Sequence, residues 1–136
     1  MMKRFLLIPA LVSSPALAAP AQFDLVCAGE QQIYISPAMI KKPFKAIYHI
    51  DLIKSEFCID DCKEIRKIQE VDSLRITLVD QAHGHGTVTP IRDKRILDRR
   101  TGALKIDYIN GATLERLIVA AACESKPFTP FPQTKF

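Results

Sequence analysis

Apolar and polar residues alternate with period two along much of the chain. Leu74, Ile76 and Leu78 fall on one face, with Ser73, Arg75 and Thr77 on the other. Leu104, Ile106 and Tyr108 alternate with Ala103, Lys105 and Asp107. Tyr48, Ile50 and Leu52 alternate with Ile47, His49 and Asp51, a second face that is only partly polar and on which His49 reads as an outward residue. Phe23, Leu25 and Cys27 share a face, as do Ile33 and Ile35. Side chains of a strand point to opposite faces in turn, so this period predicts half-buried strands. Ile91, Asp93, Arg95 and Leu97 alternate less cleanly, and a strand is still the better reading.

The connectors between these segments carry turn chemistry. The stretch HGHG at 83–86 lies between two predicted strands, and RRTG at 99–102 between two more. Gly102 is placed to take a positive φ. Asn110-Gly111 is the strongest hairpin dipeptide in the chain. Ser36-Pro37 and Lys42-Pro43 are expected to bracket a loop. Two segments fit the pattern less well. DCKE at 61–64 resembles a helix capping box, and Ile65 with Ile68 has helical spacing. Residues 113–123 hold good helix formers, but a turn precedes them and Ile118-Val119 is β-branched, which favours a strand. The expected fold is mainly β: an antiparallel meander that buries one face by curling into a small barrel or half-barrel.

The first residues change the picture of where this domain works. Met1-Met2-Lys3-Arg4 is a basic head, residues 5–12 are apolar, and Ala16-Leu17-Ala18 offers small residues for cleavage. That is the pattern of a secretory signal peptide, predicted over 1–18. A single β domain is then expected over 19–124 and a Pro/Phe-rich C-terminal tail over 125–136. An acidic residue, Asp24, stands in the box before Cys27, which argues against lipidation. No later stretch nears the ~20 apolar residues of a membrane helix, so no membrane span is expected. The expected location is the periplasm. The formal net charge is +4, and loss of Lys3 and Arg4 with the leader lowers it by two. That balance does not call for nucleic acid, and export argues against it.

Export also decides how the four cysteines are read. An even count in an oxidising compartment predicts two disulfides. Cys58 and Cys62 are close enough to meet across a tight bend, with Asp60 and Asp61 shaping it. Cys27 then pairs with Cys123, tying the first strand to the last. A zinc site on Cys58 and Cys62 with Asp60, Asp61 or His49 lacks the paired clusters of structural zinc. A redox pair is usually closer spaced and set in a βαβ unit.

Other chemistry is sparse. His49, His83 and His85 are the histidines. They form a candidate metal set, and with it the alternative of a metal-dependent hydrolytic enzyme, but nothing in their spacing demands convergence. No serine sits in a nucleophile elbow, and no phosphate loop or dinucleotide fingerprint is present. No cofactor and no enzymatic activity is expected. Lys41, Lys42 and Lys45 form one basic group, and Arg92, Lys94, Arg95, Arg99 and Arg100 a second. The plain reading is a solvated face; the functional one is a docking surface for an acidic partner or an anionic envelope component. The tail spaces Phe128 and Phe131 between Pro127, Pro130 and Pro132, which deny it a helix. Phe128 and Phe131 are expected either to cap an open end of the barrel or to form a recognition segment.

The stretches FDLVCAG at 23–29, YHIDL at 48–52, FC and DC within 57–62, RRTGAL at 99–104 and CESKPFTPFP at 123–132 resemble an uncharacterised group of small exported proteins of Gram-negative bacteria. That resemblance implies an exported domain and a strand before Cys123, and brings no activity. Cys27, Cys123 and the meander are also similar to the small β-barrel inhibitors of C-type lysozyme, where first- and last-strand cysteines pair. The likeness implies lysozyme inhibition as an alternative, yet their active-site-blocking motif has no counterpart here. The leading expectation is a non-enzymatic binding domain whose partner is an envelope protein or a small ligand.

Overall fold

The structure is a computed structural model and describes residues 20–84 and 91–133. The segment 1–18, expected to be a signal peptide, and the candidate His85 lie outside the described residues. All regular elements among the described residues are strands: β1 (Gln22–Ile35), β2 (Ala38–Asp51), β3 (Glu56–Ile59), β4 (Arg66–Lys67), β5 (Glu70–Val71), β6 (Arg75–His83), β7 (Ile91–Asp98), β8 (Ala103–Asn110) and β9 (Glu115–Lys126). They form one antiparallel sheet in the order β4-β3-β2-β1-β9-β8-β7-β6-β5. The first and last strands are therefore neighbours at its centre, and a meander runs outward from each.

The outermost strands, β4 and β5, are consecutive in the chain, with only Ile68 and Gln69 between them. So short a connector reaches at most about 11 Å. The two edges of the sheet must therefore meet there, and the sheet is curled into a half-barrel. The connector binds both sides: the Ile68 amide donates to Ser55 at 2.8 Å and the Gln69 amide to Thr77 at 3.0 Å.

Curling decides which face is the core. Cys27, Tyr48, Ile50, Phe57, Ile76, Leu97, Leu104 and Val119 are buried on the inner face. Tyr48 stacks on Phe57 at 6.4 Å between ring centroids. A bulge between Thr77 and Val79 sends Leu78 and Val79 inward in succession, which strict alternation forbids. Cys27 and Cys123 sit directly opposite on β1 and β9, with Cα atoms 4.0 Å apart, and are bonded; Cys58 is bonded to Cys62. Both expected crosslinks are present, and residues 115–126 are strand.

Several local expectations are corrected. Lys42-Pro43 is not in a loop but within β2. Proline is tolerated because β3 pairs with β2 only from Tyr48 onward, so the outer edge at Pro43 has no described strand to receive an N–H. Leu74 is exposed and precedes β6, held in a turn where Asp72 accepts from the Leu74 and Arg75 amides, each at 2.7 Å. Asn110-Gly111 does not make a two-residue hairpin. The connection runs to Leu114, which takes the left-handed φ of 56°, while Asn110 accepts from the Ala112 amide. Residues 61–64 form a turn and bend rather than a helix, because both Asp60 and Cys62 are left-handed. The tail begins after Lys126, two residues later than expected.

Candidate functional site

A cavity of about 430 Å³ opens at one end of the half-barrel. Its walls are inner-face side chains: Phe23 and Leu25 from β1, Ile76 from β6 and Leu97 from β7. The Cys123 end of the disulfide and Ser125 complete the β9 side. The void has a local cause. Ser125 stands opposite Leu25 on the inner face, and Gly102 stands where the β7–β8 turn closes over β9. Neither has the volume to fill the space. Gly102 cannot be enlarged, because its φ is 75° and an added Cβ would lie 2.6 Å from the Cys123 carbonyl oxygen.

The mouth is polar. It is bordered by the turn 98–102, which brings Arg99, Arg100 and Thr101 to the rim. Asp98 holds that turn, accepting from the Arg100 amide at 2.8 Å and the Thr101 amide at 3.2 Å. The Arg100 amide first, then its guanidinium, hold the Asp98 carboxyl below the usual carboxylate range. Arg99 Nη1 donates to the Asp72 carbonyl at 2.7 Å. Arg100 Nη2 is 3.4 Å from Asp98, with the Arg100 side chain mostly exposed. The result is an apolar pocket with two guanidinium groups at its entrance.

Arg95 belongs elsewhere. Asp93, Arg95 and Leu97 lie on the inner face of β7, and Arg95 is bidentate to Asp93 at 2.9 and 3.2 Å. Burial works against the Arg95 charge, and Asp93 more than offsets it. The guanidinium also lies against the buried Tyr48 hydroxyl, whose pKa burial pushes up. Arg95 is therefore an internal ion-pair member rather than part of an outer basic surface. Arg92 is exposed, and Lys94 is half-buried on the outer face beside Ile96 and Lys105.

A second polar site lies on the outer face of β1 and β2. Asp24 and His49 are opposite each other, and both are buried. His49 Nδ1 is 2.7 Å from Asp24 Oδ1, and Nε2 is 2.9 Å from the Asp60 carbonyl oxygen. Both partners are acceptors, Asp24 through its carboxylate and Asp60 through its main-chain carbonyl. Thr129 of the tail completes the cluster: its hydroxyl donates to Asp24 Oδ2 at 2.6 Å and its amide to Oδ1 at 3.1 Å. Burial pushes the Asp24 carboxyl up, but the Thr129 hydroxyl and amide, with His49, hold it below the usual range. Asp60 is fixed in turn by a reciprocal pair with Ile47, main chain to main chain at 2.8 Å and side chain to amide at 2.9 Å.

The arrangement does not resemble a nucleophile triad. The Thr129 hydroxyl donates to the carboxylate, and the distal histidine nitrogen is engaged by a backbone carbonyl. Comparison with known family models, with curated proteins and with solved structures found no match.

The candidate residues are scattered by the fold. His49 is corrected from an outward residue to a buried one, since the tail and the 60–62 bend cover it. His83 is exposed at the end of β6, a strand separated from β2 by four others, and His85 lies outside the described residues. Among the described residues no three His, Cys, Asp or Glu side chains are grouped as a metal site. Phe128 and Phe131 pack edge to face at 5.7 Å, outside the core cluster, where the tail folds back over Asp24. Sequence reasoning used Asp24 only against lipidation and missed its pairing with His49 and Thr129. The available signal was the polar Asp24 interrupting an apolar strand, but its partner across the sheet required the register.

Proposed function

We propose that this is a non-enzymatic binding domain of the periplasm, exported by the signal peptide of residues 1–18, which takes a small apolar ligand in the cavity under the β7–β8 turn. The cavity carries the proposal: about 430 Å³, walled by Phe23, Leu25, Ile76 and Leu97 and open to solvent through a polar rim. Ligand sites are commonly concave, largely apolar and of this size, with a few polar groups at the edge. The two disulfides fit an oxidising compartment. The fold suits the task, because a half-barrel held by Cys27–Cys123 keeps its mouth open without needing the ligand to shape it.

Nile red, a neutral fluorophore that brightens in apolar surroundings, tests this reading. The folded protein is expected to bind it saturably. Ser125→Trp, at an exposed rim position, is expected to fill the mouth and reduce binding at least tenfold while the β circular dichroism is unchanged. Equal binding by the Ser125→Trp protein would remove the cavity from consideration.

A further inference from the structure

We infer that the ligand is a single-chain amphiphile with an anionic head, its chain in the cavity and its head at Arg99 and Arg100. This rests on the cavity being the binding site. Ile76 and Leu97, the most buried of the apolar residues lining the cavity, cannot satisfy a polar atom. A polar group there would lose its water and gain no partner, which is costly. The polar end of any occupant must therefore face the rim.

The rim favours one charge. Two carboxylates lie nearby, Asp98 and Asp72, and both are already engaged by amides of their own turns: Asp98 by Arg100 and Thr101, Asp72 by Leu74 and Arg75. Arg99 and Arg100 are less committed. A guanidinium has five N–H donors. Arg99 directs Nη1 to one carbonyl, and Arg100 makes one long contact to Asp98. Each retains donors for a carboxylate or phosphate oxygen, and the planar fork matches such groups in bidentate fashion. Asp98 also borders the cavity, but its charge is screened by Arg100 at 3.4 Å. A neutral head can accept a single bond from a guanidinium but gains no ion pair and no bidentate match, and a cationic head meets the guanidinium groups as like charges.

Displacement of Nile red separates the chemistry from the cavity. Decanoate, decyl phosphate, decanol and decyltrimethylammonium present one chain with four heads. Decanoate and decyl phosphate are expected to displace the dye at concentrations at least tenfold below decanol, with decyltrimethylammonium the weakest. Arg99→Ala/Arg100→Ala is expected to abolish that preference by weakening decanoate and decyl phosphate at least tenfold more than decanol. Arg100→Glu alone, at an exposed position, reads the same effect should the double variant not fold. If decanoate and decanol compete equally, or if the preference survives both variants, the head-group assignment is overturned while the cavity reading stands. If no decyl compound competes and Nile red does not bind, the cavity reading falls with it.

Discussion

Asp24 and His49 face each other across the β1–β2 pair, 2.7 Å apart, on the side of the sheet away from the main core. The contact joins four parts of the chain. Asp24 lies on β1, His49 on β2, Asp60 in the disulfide bend and Thr129 in the tail.

Asp24 should make stability pH-dependent. Its folded pKa is lowered from 3.8, so the unfolded state binds the proton more readily. Stability from this group is present above that value and is lost as pH falls through the lower folded value. Asp24→Ala leaves His49 Nδ1 and the Thr129 hydroxyl and amide without their acceptor, at a cost of about 1–3 kcal/mol at neutral pH. Urea unfolding as a function of pH should show the gap between wild type and Asp24→Ala closing below 3.8. A gap that stays constant to low pH would contradict the assignment.

The tail is held through Thr129. Thr129→Val removes the hydroxyl donor and keeps the amide, so a loss of about 1–2 kcal/mol is expected for a bond to a charged acceptor. Hydrogen exchange gives the direct readout. The Thr129 amide donates to Asp24, and its exchange should quicken at least tenfold in Asp24→Ala.

The two disulfides should contribute unequally. Cys27–Cys123 closes a span of 96 residues and Cys58–Cys62 a span of 4. Chain-entropy reasoning gives about 4.7 kcal/mol for the long loop and about 2 kcal/mol for the short one. Guanidinium denaturation of the two paired Cys→Ala variants should rank them in that order. A greater loss from the short bridge would show that the bend carries more of the fold than its length suggests.

Gly102→Ala should destabilise by about 2 kcal/mol or more, since the φ of 75° is strained for alanine and the new methyl meets the Cys123 carbonyl. Thr101→Ala, which forfeits only the exposed hydroxyl contact to the Ala103 amide at 3.2 Å, should cost about 1 kcal/mol or less. Thermal unfolding of the pair gives the comparison.

Much of the architecture was legible along the chain. The alternation at 103–108 set an inner and an outer face, and Gly102 marked its turn, because strand pleat and turn geometry depend on a few adjacent residues. The cysteines were legible for a related reason: Cys58 and Cys62 are near enough in sequence for a bend to join them readily, which left Cys27 to meet Cys123. Pro43 misled because its effect on a strand depends on whether a neighbour requires its N–H, and that neighbour is distant in sequence.

The sequence by itself determined that the chain is β, where most of its strands run and which cysteines join. Only the tertiary structure decided that Arg95 points inward to Asp93, that His49 is covered, and that Arg99 and Arg100 border a cavity. The reason is physical. Alternation separates two faces of a strand but does not say what will cover each. That depends on register across the sheet, on the direction in which the sheet curls, and on a tail that returns to lie against Asp24.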